Sequence, residues 1–171
     1  MRKTLTFIAI FLISASPVMA NDVVYKYVPN AAQVGSGRLS VVFWDVYDAT
    51  LYAPNGKWNA HSPYALSIHY FREIAGVDIA KRSEEEIRKQ GFTDDAKLAE
   101  WQAEMRGIFP DVKNGSKLTA IFTPRKSTDF YSDGTHIGSI RGDEFAAYFF
   151  NIWLSEKTSE PDLRRKLLGL S

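Results

Sequence analysis

The 171-residue chain has no cysteine. That excludes disulfide bracing, thiolate metal centres and a cysteine nucleophile. It also lacks a surplus of one charge, with 21 Lys and Arg against 20 Asp and Glu. So even a balance argues against a nucleic-acid partner or a polybasic membrane patch. No apolar run reaches the roughly 20 residues that a spanning helix needs. There are no internal repeats, no low-complexity segments and no interdomain linker. What remains is a single domain rich in aromatic residues (13%).

The first stretch reads as an address rather than as structure. Arg2 and Lys3 precede the mostly apolar run Leu5 to Ile13, and Val18-Met19-Ala20 supplies small residues for cleavage after Ala20. This is the pattern of a secretory signal peptide over residues 1–20. Its removal takes two of the 21 basic residues and leaves 151 residues, 21–171, with 19 basic against 20 acidic side chains. Export of a chain without cysteine suits a bacterial periplasmic protein, with no stable membrane span after cleavage.

Asp22 to Val28 predicts a first strand, stopped at Pro29-Asn30. Val34 to Tyr52 is rich in β-branched and aromatic residues and predicts a long, largely buried strand. A bulge or bend is expected near Trp44-Asp45, because Asp disfavours a strand interior. Asn55-Gly56 marks a turn, and Pro63 to Phe71 alternates as a further strand. Gly76 to Gln90 predicts a helix with Ile79, Ser83 and Ile87 on one face. Its charge run Lys81-Arg82, Glu84-Glu85-Glu86 reads as solvated surface, and Ser83-x-x-Glu86 as an internal capping box. Thr93 is expected to cap the next helix, with Leu98, Trp101, Met105 and Ile108 inward. A strand over 117–123 and a hairpin around Asp133-Gly134 follow. Asp143 is the expected cap of a helix to Leu154 that is apolar nearly all round, the pattern of a helix buried in the core or facing a cavity. Pro161 opens a last helix. Strands, a helical pair, strands and helices add up to an α+β domain, with helices packed on one face of an antiparallel sheet.

Within this frame Arg38 stands out, since a guanidinium amid apolar surface needs a partner. It is either a strand-end arginine with its head in solvent or an anion-reading group at the mouth of an apolar pocket. Gly35-x-Gly37 precedes a strand rather than a helix, which excludes a phosphate loop. His61, His69 and His136 have no metal-ligand spacing, so no metal site is expected. His69 and Arg72 beside Tyr70 are weaker candidates for a cleft mouth. Arg141-Gly142-Asp143 reads as a turn.

The segments G-S-G-R-L…V-Y-D-A-T-L-Y at 35–52, I-F-P-D-V at 108–112 and F-Y-S-D-G at 130–134 carry a resemblance. So do I-x-x-x-x-F-A-x-x-F-F-x-I-W-L at 140–154 and P-D-L-R-R-K-L-L-G at 161–169. Together they resemble the chalcone isomerase-like proteins, in particular their exported bacterial branch. The resemblance implies a curved antiparallel sheet under a layer of helices, with a ligand cleft between. It also implies one of two activities: closure of a chalcone to a flavanone, or fatty-acid binding without catalysis. Arg38 matches the arginine that holds an oxyanion in the plant enzymes, and Tyr47 stands at their threonine position. Ile79 and Glu86 stand near their tyrosine and asparagine and cannot do the same work. Asn151 matches the polar position of the late helix.

The reading that follows is a periplasmic, non-catalytic binder of an apolar ligand with an acidic head, such as a fatty acid. Arg38 and Tyr47 would hold the head, with Asn151 beside them, and Phe145, Phe149 and Ile152 would line the slot. No cofactor is implied. Two other readings stay open: an intramolecular lyase or isomerase using Arg38, Tyr47 and Asn151 electrostatically, and an envelope scaffold with a filled interior. Convergence of Arg38 and Tyr47 requires the bulge, because in an unbroken strand their parity is opposite.

Overall fold

The computed structural model describes residues 22–170; the leader expected over residues 1–20 lies outside them. A six-stranded antiparallel sheet runs in plain sequence order: β1 (Ala31–Val41), β2 (Trp44–Pro54), β3 (Tyr64–Tyr70), β4 (Lys117–Thr123), β5 (Ser127–Ser132) and β6 (Thr135–Arg141). Between β3 and β4 the chain forms α2 (Gly76–Lys89) and α3 (Asp95–Ile108), and after β6 it forms α4 (Asp143–Leu154) and α5 (Pro161–Leu167). These four helices cover one face, as an α+β sandwich requires. Alternation sorts the strands: Tyr64, Leu66, Ile68 and Tyr70 of β3 belong to the helix-side core, whereas Ala65 belongs to a small outer cluster.

The first element is a helix, α1 (Asp22–Tyr27), and not the expected strand. Val24 and Val28 lie four residues apart and seat together on the outer face, against Tyr52, Ala65, Ile121 and Tyr131. Burying that pair outweighs the β-preference of a Val- and Tyr-rich segment. The long strand expected over 34–52 is instead a hairpin. β1 and β2 meet at a two-residue turn, Val42-Phe43, with Val41 opposite Trp44. Nothing in V-V-F-W advertises a turn, since glycine, asparagine and proline are all absent from it. The register slips between Leu39 and Ser40, leaving Val46 as the extra residue on β2. A bulge therefore sits one residue beyond the expected place.

Two caps also differ. Asp94, not Thr93, caps α3 by accepting the Lys97 backbone N–H at 2.9 Å. Gly142 caps α4 at φ 100°, while Asp143 accepts the Arg125 N–H at 2.8 Å. Ser83 donates back to the Ile79 carbonyl at 2.9 Å, so it forms no capping box with Glu86.

The glycine pair has a packing role. α5 lies across β1 so closely that a Cβ at Gly35 would meet the Lys166 carbonyl oxygen at 2.1 Å. A Cβ at Gly37 would meet Leu163 at 2.8 Å. This approach brings α5, and the segment leading into it, over the inner face of the sheet.

Candidate functional site

The sheet and its helices do not close completely. Between them lies a cavity of about 430 Å³, within the range of small-ligand pockets. Its floor includes Leu39, Tyr47, Leu66, Ile68, Tyr70 and Ala120; α2 adds Ile79, and α4 adds Phe149, Ile152 and Trp153. The interior is thus not the filled one that a pure scaffold would show. Elsewhere the aromatic residues pack edge to face, as Trp101 does on Phe145 and Tyr64 on Phe150, which keeps the surrounding core firm.

Two phenols supply the polarity of this wall. Tyr47 and Tyr70 are cross-strand partners with ring centroids 5.9 Å apart. The Trp153 indole N–H donates to the Tyr47 oxygen at 2.9 Å, and no acceptor for the Tyr47 proton is found among the described residues. Burial pushes the Tyr47 hydroxyl up to about 12, against the hydrogen bond from Trp153. Burial raises Tyr70 as well, and its hydroxyl has no hydrogen-bond partner among the described residues. Both phenols remain neutral donors throughout the physiological range.

The rim is charged. Asp78, Arg82, Glu86 and Glu160 line it, with Ser83 and Ser159. Glu86 is buried; one oxygen accepts Lys89 at 2.9 Å and Arg82 at 2.8 Å, and the other accepts Ser159 at 2.6 Å. Burial alone would raise the Glu86 carboxyl, but the hydrogen bonds from Ser159 and Lys89 and the Arg82 charge outweigh it and hold it below its usual value. The bond to Ser159 ties α2 to the segment before α5.

The buried tyrosines fix a pH response. Tyr47 and Tyr70, with Tyr64, have folded pKa values raised by burial above the ordinary 10. The unfolded chain therefore releases these protons first as pH rises. Stability is held below about pH 10 and falls above it, steadily through the Tyr47 value of about 12. Chemical denaturation between pH 7 and pH 11, a range set by the tyrosine reference value, should show a flat region and then a decline. A decline complete before the phenols titrate would contradict these assignments.

Of the residues expected at the site, Tyr47, Phe149 and Ile152 line the cavity. Arg38 does not. It sits opposite Asp48 on the outer side of the hairpin, with its side chain 46% exposed. Its guanidinium grips both oxygens of Asp48 at 2.7 and 2.9 Å and one of Asp45 at 2.6 Å, and lies over the Phe71 ring. The bulge at Val46 cannot turn it inward, because Arg38 is on the neighbouring strand. Asn151 and Phe145 are also absent from the lining; Phe145 is 1% exposed, stacked on Phe149 and edge-on to Trp101. The trio Arg38, Tyr47 and Asn151 therefore does not converge on one substrate position.

Of the charge run expected to be solvated surface, Arg82 is exposed as expected and also reaches the rim, whereas Glu86 is buried. The spacing of Ile79, Arg82 or Ser83, and Glu86 by three and four residues puts them on one helical face, and that periodicity was the available signal. Among the described residues, no three His, Asp or Glu side chains cluster as metal ligands, and no helix is long and apolar enough to cross a membrane.

An antiparallel meander roofed by helices over a ligand-sized apolar cavity defines a class of open-faced α+β sandwiches. Within it, the profile of the chalcone isomerase-like family matches residues 33–169, and the chain belongs to that family. A fatty-acid binding protein of Arabidopsis thaliana has a similar structure, with TM-score 0.62 and 13% identity over 82% of this chain and 87% of that one. At that identity the likeness establishes the fold. No curated protein sequence matches.

Proposed function

We propose that this protein is a non-catalytic carrier or receptor for a fatty-acid-like ligand. The apolar chain lies in the cavity and the carboxyl end meets the phenol protons of Tyr47 and Tyr70, with Arg82 at the rim. One observation carries the reading: an apolar cavity whose wall holds two neutral phenols for whose protons the described residues supply no acceptor. Three rim carboxylates against one guanidinium disfavour a multiply charged head such as a phosphate more strongly than a single carboxyl, which the neutral phenols receive as hydrogen-bond donors. The fatty-acid binding activity named for the Arabidopsis structure supports the same choice. The leader pattern of residues 1–20 supports action in the periplasm.

Displacement of cis-parinaric acid by palmitate, in vesicle-free buffer, tests the binding. Saturable one-to-one binding is expected; neither binding nor a co-purifying lipid in native mass spectrometry would reject the proposal. Substitutions separate the two arginines. Arg38→Ala leaves the affinity within about twofold, since its solvent-screened ion pairs lie on the outer side of the hairpin, away from the cavity. Tyr47→Phe, which removes a donor to the ligand, weakens binding by up to about tenfold, and Arg82→Ala weakens it in the same direction. Equal losses for Arg38→Ala and Tyr47→Phe would return the outer guanidinium to the site. For the location, the mass of the periplasmic protein should correspond to residues 21–171.

A further inference from the structure

The turn between β1 and β2 is built against the rules that the rest of the chain follows. At the β5–β6 hairpin the central residues are Asp133 and Gly134, both at positive φ (47° and 86°), the usual residues for such a turn. At the β1–β2 hairpin they are Val42 and Phe43, with Val42 at φ 58° and Phe43 not positive. Positive φ at the first central residue alone is the pattern that ordinarily takes glycine, and a β-branched residue there is strained. The strain is not repaid by packing. Val42 is 80% exposed and Phe43 93%, flanked by Val41 at 54% and Trp44 at 62%. Four consecutive apolar side chains therefore stand at a convex tip, where folding favours small or polar ones. Their selection points outside the chain.

The position of the tip indicates what it meets. Leu39, Val41 and Val46, at its base, line the apolar cavity, so the cavity wall continues onto the tip without a polar break. Arg72 stacks on the Trp44 ring at 4.3 Å and Arg38 on Phe71 at 4.6 Å, while Asp45 and Asp48 balance the Arg38 and Arg72 charges. A protruding Phe and Trp backed by arginines and closely balanced in charge match the boundary between headgroups and acyl chains, where amphipathic aromatics settle. A convex, narrow tip presents no groove for a folded partner.

We propose that the Val41–Trp44 tip inserts into the surface of a lipid bilayer, so that the cavity exchanges its apolar ligand directly with the membrane. The exchange step rests on the proposed ligand; the insertion does not. The test uses the full chain and vesicles of brominated phosphatidylcholine, which quench tryptophans that reach the acyl region. Quenching is expected for the wild type, insensitive to salt, and is lost in Trp44→Phe. The double substitution Val42→Gly with Phe43→Asn, which restores ordinary turn residues and raises fold stability, should reduce quenching at least tenfold. The same variant should bind palmitate in vesicle-free buffer unchanged, yet take it up from donor vesicles at least tenfold more slowly. Absent quenching, quenching that survives in both variants, or a tip-dependent dimer in its place would overturn the proposal. Loss of palmitate binding by the wild type in buffer would instead overturn the ligand assignment and leave insertion standing on the quenching result.

Discussion

Alanine at Gly35 is expected to unseat α5 and lower the stability of the whole domain by about 3 kcal/mol or more. The added Cβ would lie 2.1 Å from the Lys166 carbonyl oxygen and 2.6 Å from that of Leu167. Both obstacles are backbone, so no rotamer change relieves them. Overpacking in a well-fitted core typically costs about 1–3 kcal/mol, and a backbone clash falls at the upper end. For a domain of this size such a loss lowers Tm by about 6–12 °C. Palmitate binding falls with it, because Ser159 and Glu160, just before α5, form part of the cavity rim. Gly107 provides the opposite case. It lies within α3 with nothing within 4 Å of an added Cβ, so Gly107→Ala should stabilise by about 0.5–1 kcal/mol. A Gly35→Ala protein as stable as the parent would mean that α5 is not docked where its carbonyls require a bare backbone.

The second large effect is on the ligand. Ala120 is the small residue of the cavity floor, 7% exposed, with Leu66 and Phe130 as its cross-strand neighbours and all three on the cavity wall. A tryptophan there grows into empty space rather than into packed side chains. Ala120→Trp should therefore keep the fold and lower palmitate affinity by about 100-fold, or about 2.7 kcal/mol. Ala120→Leu should lose an intermediate amount, since it fills less of the same space. Native-like melting together with unchanged affinity in both variants would show that the ligand sits elsewhere.

Much of the fold was legible because it follows local rules. Asn55-Gly56 and Asp133-Gly134 both hold positive φ, as their turn chemistry demands. Leu98, Trp101 and Met105 face the core from α3, as three- and four-residue spacing requires. Part of the candidate site was legible: Tyr47, expected through the family resemblance to hold a ligand head, and Phe149 and Ile152, expected from the apolar late helix to line a slot, all border the cavity. Arg38 was misjudged because a guanidinium in an apolar stretch looks like a pocket group until its partners are known. Its partners, Asp45 and Asp48, lie seven and ten residues further on, and only the unadvertised turn at Val42-Phe43 brings them beside it. Glu86 was misjudged for the complementary reason: its burial depends on Ser159, 73 residues away.

The sequence by itself determined the α+β class, the alternating strands and the aromatic late helix. Each of these follows from spacing or from backbone sterics within a few residues. Tertiary structure alone decided that α1 is a helix, that Arg38 looks outward, and that an empty space remains beneath α4. Those outcomes depend on what lies opposite each side chain across the sheet or the helix layer. A one-residue difference in hairpin register selects the face on which a side chain ends, and no local pattern contains that choice.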